Sequence, residues 1–232
     1  MIVFDGVDIK SVAGVMIEDI RVNPIEINPT TRTRAIAPGS VFVRNRYGTR
    51  TVAVTFALIS EDMNQRQASL MAVSAWAKTD KEYKLELPGY PDHYLMAVCT
   101  SKPEPSMRQW WESKLRLVFT CYENPFWNDK IEKSVACGTQ FRVLGDAPPL
   151  MRIERTLSTS VSNQSYALGG NTITFSTIPA GNLVIDLDAQ TAAVGSTSIM
   201  EYYNVNSKFL IAKTGTQTVT GTGTVKYRER WQ

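Results

Sequence analysis

The sequence predicts a mainly β protein: an N-terminal β-sandwich-like domain with one α-helix, followed by a C-terminal β-sandwich. Three observations predict it. Apolar runs of strand length, rich in Val, Phe, Leu and Thr, recur at residues 51–59, 83–87, 93–99 and 114–121. A single stretch, residues 62–78, carries apolar side chains at helical spacing. Beyond residue 146 the pattern changes to short Thr- and Gly-rich runs separated by turn signals, the signature of a sandwich.

Taken in order, Phe4, Asp5 and Gly6 read as a strand end entering a turn, because an Asp-Gly pair supplies positive φ at little steric cost. Residues 15–22 have a strand-like mix. Asn23-Pro24 and Asn28-Pro29 then force extended backbone and exclude a long helix. Residues 30–36 (Thr30, Thr31, Arg32, Thr33, Arg34, Ala35 and Ile36) are polar on both faces and read as an exposed strand or ordered arm, held by something outside its own domain. Within 62–78, Ser60 or Asp62 can cap the helix, and Glu61 and Asp62 put negative charge at its positive end. Met63, Leu70, Val73 and Ala77, widened by Met71 and Trp76, form the predicted core stripe. Leu70→Ala is then expected to cost about 2–5 kcal/mol.

Pro88, Gly89 and Pro91 mark a turn, so 83–87 and 93–99 form a hairpin. Trp110, Trp111, Phe126 and Trp127 give an aromatic density that suits core and subunit interface better than a sugar platform. The composition shifts around residues 130–146, which places two domains at 1–137 and 138–232. Strands are expected in the second at 150–155, 171–175, 183–187, 208–211, 216–220 and 224–230.

At 232 residues, 43% hydrophobic and 20% charged, the chain has the composition of a folded globular protein. A net charge of +3 is too mild to signal nucleic-acid binding by itself. The charge is nevertheless clustered: Arg21, Arg32, Arg34, Arg44, Arg46 and Arg50 face only Glu26 within that segment. Such a strip reads as a solvated edge, or as a surface turned toward phosphate or a partner.

Three cysteines, Cys99, Cys121 and Cys137, form no paired motif, which argues against a disulfide framework and fits assembly in a reducing cytoplasm. The opening residues lack the regions of a secretory signal, and no apolar run approaches the roughly 18–20 residues that span a bilayer, so neither export by signal nor membrane insertion is expected. Chemistry is sparse. His93 is the sole histidine, no Cys/His spacing suits zinc, and no glycine motif precedes a helix. Asp186 and Asp188, two apart, would share a face of a strand but have no partner chemistry in view. No catalytic, cofactor-binding or metal-binding residue is assigned, and no enzyme activity is expected.

Over nearly its whole length the sequence resembles the distal tail proteins of siphovirus-type bacteriophages and prophages. The first half of the resemblance rests on Phe4-Asp5-Gly6, Pro38-Gly39, Tyr47-Gly48, the strand at 50–59, the helix ending Ala75-Trp76-Ala77, and the runs at 85–88, 94–97, 115–119 and 124–127. The second half rests on 147–150, 181–186 and 225–231. The resemblance implies a structural virion protein: a homo-hexameric hub ring formed by the N-terminal domains, with a central channel through which DNA passes transiently. It implies contacts with the major tail protein, the tape-measure protein and the tail-associated tip protein, with a receptor-binding protein as a further candidate. It also implies a galectin-like C-terminal sandwich and residence in the virion tail after assembly in the host cytoplasm. Longer relatives insert carbohydrate-binding modules, for which this chain has no room. In a ring, residues 30–36 become a candidate inter-subunit arm completing a neighbour's sheet, and Arg44, Arg46 and Arg50 become candidate channel-facing residues. The competing reading is a carbohydrate- or receptor-binding module at the tail tip, stacking sugars on Tyr166, Tyr202 or Tyr203. A hydrolase built on Asp186 and Asp188 is the weakest reading.

Overall fold

The computed structural model describes residues 1–12, 15–33, 40–60, 62–101, 105–109 and 112–232. It is mainly β, with one α-helix among the described residues, and the strand pairings that build its sheets and ribbons are antiparallel there. Two compact units divide the chain, Met1–Trp127 with Gln232, and Asn128–Trp231. The division falls ahead of residue 137 because Lys133–Ala136 pairs with Thr224–Trp231 in the second unit. None of the described helices is long and apolar enough to cross a membrane.

In the first unit Arg50–Ile59 lies between Val15–Val22 and Glu112–Cys121. Alternation puts Val52, Val54, Phe56 and Leu58 on the buried face, where they meet Leu115, Leu117 and Phe119. The expected hairpin is present as Tyr83–Glu86 and His93–Cys99, and Val3–Phe4 adds to its edge. Asp5 and Gly6 adopt φ of 50° and 76° and return the chain from Val3–Phe4 to Val7–Asp8. That is the geometry expected of an Asp-Gly hairpin turn.

The helix runs Met63–Trp76, capped by Asp62, whose carboxylate accepts from the Gln65 amide at 2.8 Å. Its buried side chains are Arg66, Ser69, Val73 and Trp76, whereas Met63 and Met71 are exposed and Leu70 is half-buried. The expected stripe is therefore rotated, and the large loss expected of Leu70→Ala belongs to Val73 and Trp76. Trp76 sets that rotation. Its ring stands edge-on to Phe4, Phe56 and Phe119 at 5.6–6.2 Å, and its indole N–H donates to the Val7 carbonyl at 2.9 Å.

The second unit is a β-sandwich. One sheet runs in the order Lys133–Ala136, Thr224–Trp231, Ala147–Leu157, Gly181–Asp186, Thr191–Val194 and Thr197–Ser198. The opposing layer combines the hairpin Val161–Leu168/Asn171–Ile178 with the pair Gln140–Val143/Gly215–Thr218. Reciprocal backbone hydrogen bonds between Ala167 and Thr220, 3.0 and 2.9 Å, join the two. Side chains from both layers share one core that includes Ile153, Tyr166, Ile173, Phe175, Ile185 and Val225. The strand expected at 208–211 is instead irregular backbone that still buries Leu210. Val161–Leu168 is an unforeseen strand, because its first five residues carry no apolar alternation.

Candidate assembly interface

Ile27–Thr33 and Ser40–Tyr47 form a two-stranded ribbon that belongs to neither main sheet of the first unit. Its base is pinned by backbone hydrogen bonds from Glu26 to Thr49 and from Gly48 to Glu26, 3.0 and 2.7 Å. The Tyr47 ring adds an edge contact to Phe126 at 5.1 Å. Thr30, Thr31, Arg32 and Thr33 of the expected arm lie in this ribbon, and Arg34, Ala35 and Ile36 lie outside the described residues.

The register sorts the side chains into two faces, because residues directly opposite one another point the same way. Ile27 faces Tyr47, Pro29 faces Asn45, and Thr31 faces Phe42. Between them, Asn28 faces Arg46 and Thr30 faces Arg44, with Arg32 next on the same side. A bulge between Thr30 and Thr31 accommodates Val43 and keeps the two sets in phase. One face is thus apolar and aromatic, the other cationic. Both are in water: Ile27, Phe42 and Tyr47 are 52%, 58% and 46% exposed, and the three arginines are exposed as well. No ion pair joins Arg32, Arg44 or Arg46 to an acid among the described residues.

Arg50 does not join Arg44 and Arg46. It is 3% exposed, in phase with Val52 and Val54 on the buried side of Arg50–Ile59. Its guanidinium lies 5.7 Å from the centroid of the Trp127 ring, which itself stacks on Tyr90 at 4.1 Å. A buried cation over an aromatic face is a structural arrangement, so Arg50 cannot present itself to a channel from this position.

Of the remaining sequence candidates, Tyr202 is half-exposed in the short Met200–Tyr202 turn of helix, and the others below are built into the fold. Asp186 accepts from the amides of Asp188 and Ala189, both at 2.9 Å, and so caps a turn. Asp188 lies in that turn, off the strand, and pairs with Arg230 at 3.0 Å. The shared strand face expected of the two acids is absent for that reason. Tyr166 is 1% exposed and sealed in the sandwich core, so it offers no stacking surface. Tyr203 packs beside Phe175 and Phe209 and donates its hydroxyl to the Ser207 carbonyl at 2.6 Å. Cys99 and Cys121 are buried thiols, and burial pushes Cys121 up to about 12, which removes it as a nucleophile. No cluster of three metal-ligating side chains occurs among the described residues.

An open cleft of about 590 Å³ is lined in part by Asp80, Glu82, Met96, Tyr122 and Glu123. Two of its acids, Glu82 and Asp80, are already engaged. Glu82 accepts from the Tyr122 and Glu123 amides at 2.5 and 3.1 Å. Asp80 accepts from the Tyr83 hydroxyl at 2.9 Å, and this bond, ahead of nearby lysines, holds its carboxyl below the usual range. What the sequence did not reveal is the apolar face of the ribbon, since Ile27, Phe42 and Tyr47 come from two strands and meet only through the register.

No family model matches the chain, and no curated protein matches its sequence. Solved structures do. The Dit protein of phage SPP1, described as a paradigm of the hub adsorption apparatus in phages that infect Gram-positive bacteria, aligns with a TM-score of 0.76. The alignment covers 100% of this chain and 98% of that one at 15% identity. Two structures of the phage P2 baseplate align at TM-scores of 0.48 and 0.46, with 8% and 7% identity over 97% of this chain and 92% of each of theirs, likenesses too weak to carry weight. From end to end, the chain has the fold of a phage tail hub protein.

Proposed function

We propose that the protein is a structural hub of a phage tail, assembling as a homo-hexameric ring that joins the tail tube to the baseplate or tip. The observation that carries this reading is the likeness to the SPP1 hub protein over the full length of both chains. The ribbon at 27–47 supports it, because a two-stranded sheet exposed on both faces is marginal by itself and is completed by a partner. The ring encloses a channel for DNA, with Arg44 and Arg46 as the channel-facing residues. Weak, dispersed charge there tolerates a passing polyanion without holding it. The partners are the major tail, tape-measure and tip proteins, with a receptor-binding protein on the periphery. The role is architectural, without catalysis, and its location is the virion tail.

Native mass spectrometry and negative-stain microscopy of the purified full chain test this, alone and with the tube and tape-measure proteins. A closed ring of six is expected. A monomer under every condition overturns the reading. Deletion of residues 30–36 is expected to leave soluble monomers, and an intact ring after that deletion removes the arm from the interface.

A further inference from the structure

At the start of the helix the usual order of burial is inverted. Met63, its first residue, is 61% exposed, whereas Arg66 in the next turn is 6% exposed. A guanidinium taken out of water loses its hydration, and only an acid together with acceptors for its N–H groups offsets that loss. No ion pair joins Arg66 to an acid among the described residues. Its Nη1 donates to the Met63 sulfur at 4.0 Å, a weak acceptor, and its buried Nε–H has no acceptor at all. The Ser60 hydroxyl, just ahead of the Asp62 cap, is likewise buried and without a partner. Asp62 itself is exposed, and its carboxylate accepts from the Gln65 amide. We propose that the N-terminal end of the helix is a carboxylate-binding site, where Arg66 receives an aspartate or glutamate side chain presented by a partner protein.

Three features select a carboxylate. The Met63 contact holds the guanidinium beside the first turn, the positive end of the helix dipole, so both fields favour an anion at the same place. The paired N–H groups of a guanidinium match the two oxygens of a carboxylate, which gives one acid a complete partner. A nucleic-acid backbone is instead tracked by several exposed cations, and the face carrying Arg32, Arg44 and Arg46 has that character, whereas Arg66 is single and buried. Met63 supplies the rim. Its exposed, flexible thioether lies against the guanidinium and can pack on the stem of an incoming acidic side chain, keeping water from the pair. A chain that exposes a methionine in order to bury an arginine departs from the local burial rule, and such departures gather at functional sites. Nothing in this site depends on ring formation, so it stands beyond the hub reading.

The test follows the Arg66 Nε–H resonance of the full chain by proton–nitrogen NMR, assigned by its loss in Arg66→Met. Hexaglutamate peptide, acetate and a thymidine oligonucleotide are titrated separately at constant ionic strength. A saturable shift with hexaglutamate is expected, with a weaker one from acetate and none from the oligonucleotide. Arg66→Met is expected to lower affinity for the peptide by about tenfold or more, the loss of a charge-assisted hydrogen bond. In the absence of peptide the same variant should raise the thermal midpoint by about 2 °C or more, because an apolar side chain ends the uncompensated burial. A midpoint unchanged or lowered means that an acid of the same chain already serves Arg66, and overturns the proposal; Glu61, outside the described residues, is the nearest in sequence. A resonance that hexaglutamate leaves in place, or that the oligonucleotide moves as far, overturns it too. If Arg66→Met abolishes self-association of the purified chain, the acid belongs to a second copy and the partner named here is wrong.

Discussion

Two ribbons of nearly equal length, 27–47 and 161–178, have opposite fates. Asn171–Ile178 and Val161–Leu168 turn Tyr166, Leu168, Ile173, Phe175 and Ile178 into the sandwich core, all at 3% exposure or less. Their outer face is polar and internally bonded, as between Ser165 and Thr174 at 3.0 Å. Ile27–Thr33 and Ser40–Tyr47 carry comparable apolar side chains and bury almost none of them. The 161–178 ribbon solves its burial problem within one chain. The 27–47 ribbon leaves its apolar side chains in water, which is why it serves the proposed hub as a candidate assembly surface.

The sharpest way to break this comparison is to truncate one phenylalanine from each ribbon. Phe175→Ala removes a fully buried ring and is expected to cost about 3–5 kcal/mol in chemical denaturation of the full chain. Phe42→Ala removes a ring already in water and should change the monomer's stability by less than about 0.5 kcal/mol. Equal losses would mean that the 27–47 ribbon is part of its own monomer's core.

A glycine from each region sharpens it further. Gly221 sits at φ +134°, and a Cβ there would lie 2.4 Å from Cδ1 of the buried Tyr166. Gly221→Ala combines backbone strain with overpacking and should destabilise by about 1–3 kcal/mol. At the base of the exposed ribbon, a Cβ on Gly48 would meet the side-chain ends of Asn28 and Glu26 at 2.9 Å. Those ends can swing into solvent and the Glu26 Cβ, at 3.0 Å, need give by only a few tenths of an ångström with no positive φ to add strain, so Gly48→Ala is expected to cost less. A thermal melt ranking Gly48→Ala as the more damaging of the two would place rigid packing where the ribbon shows none.

The legibility of the two regions differs for a physical reason. The β-rich architecture, the helix with its Asp62 cap, and the Asp5-Gly6 turn all follow from local chemistry, and the sequence carries them openly. The helix's buried face does not follow, because Met63 and Met71 compete with Arg66 and Ser69 for the same stripe and only the cage around Trp76 decides between them. The two faces of the 27–47 ribbon are a property of a pair of strands. Thr30 to Arg32 looks polar on both sides until Phe42 is placed opposite Thr31. Arg50 was the more accessible case, since counting in twos from Val54 and Val52 already puts it inside.

Charge repeats the contrast at smaller magnitude. On the sandwich's exposed sheet face, Glu154 pairs with Lys226 at 2.7 Å and with Arg152 at 2.6 Å, and Arg152 also reaches Glu132 at 3.0 Å. Hydrogen bonds from Lys226 and then Arg152 hold the Glu154 carboxyl below its usual range. A carboxylate depressed in the folded state stabilises above its unfolded value of about 4.3, and that contribution is lost as pH falls through the folded-state value. Acidification from neutrality should therefore erode the stability of the native chain, and Glu154→Gln should flatten that acid limb by under about 1 kcal/mol, as expected for half-exposed pairs. Arg32, Arg44 and Arg46 have no such acid partners among the described residues, so replacing all three by Gln should leave the acid limb of the monomer unchanged. A shift there would reveal a carboxylate bound to the ribbon within one copy, and would mean that its cationic face is not reserved for what passes or docks beside it.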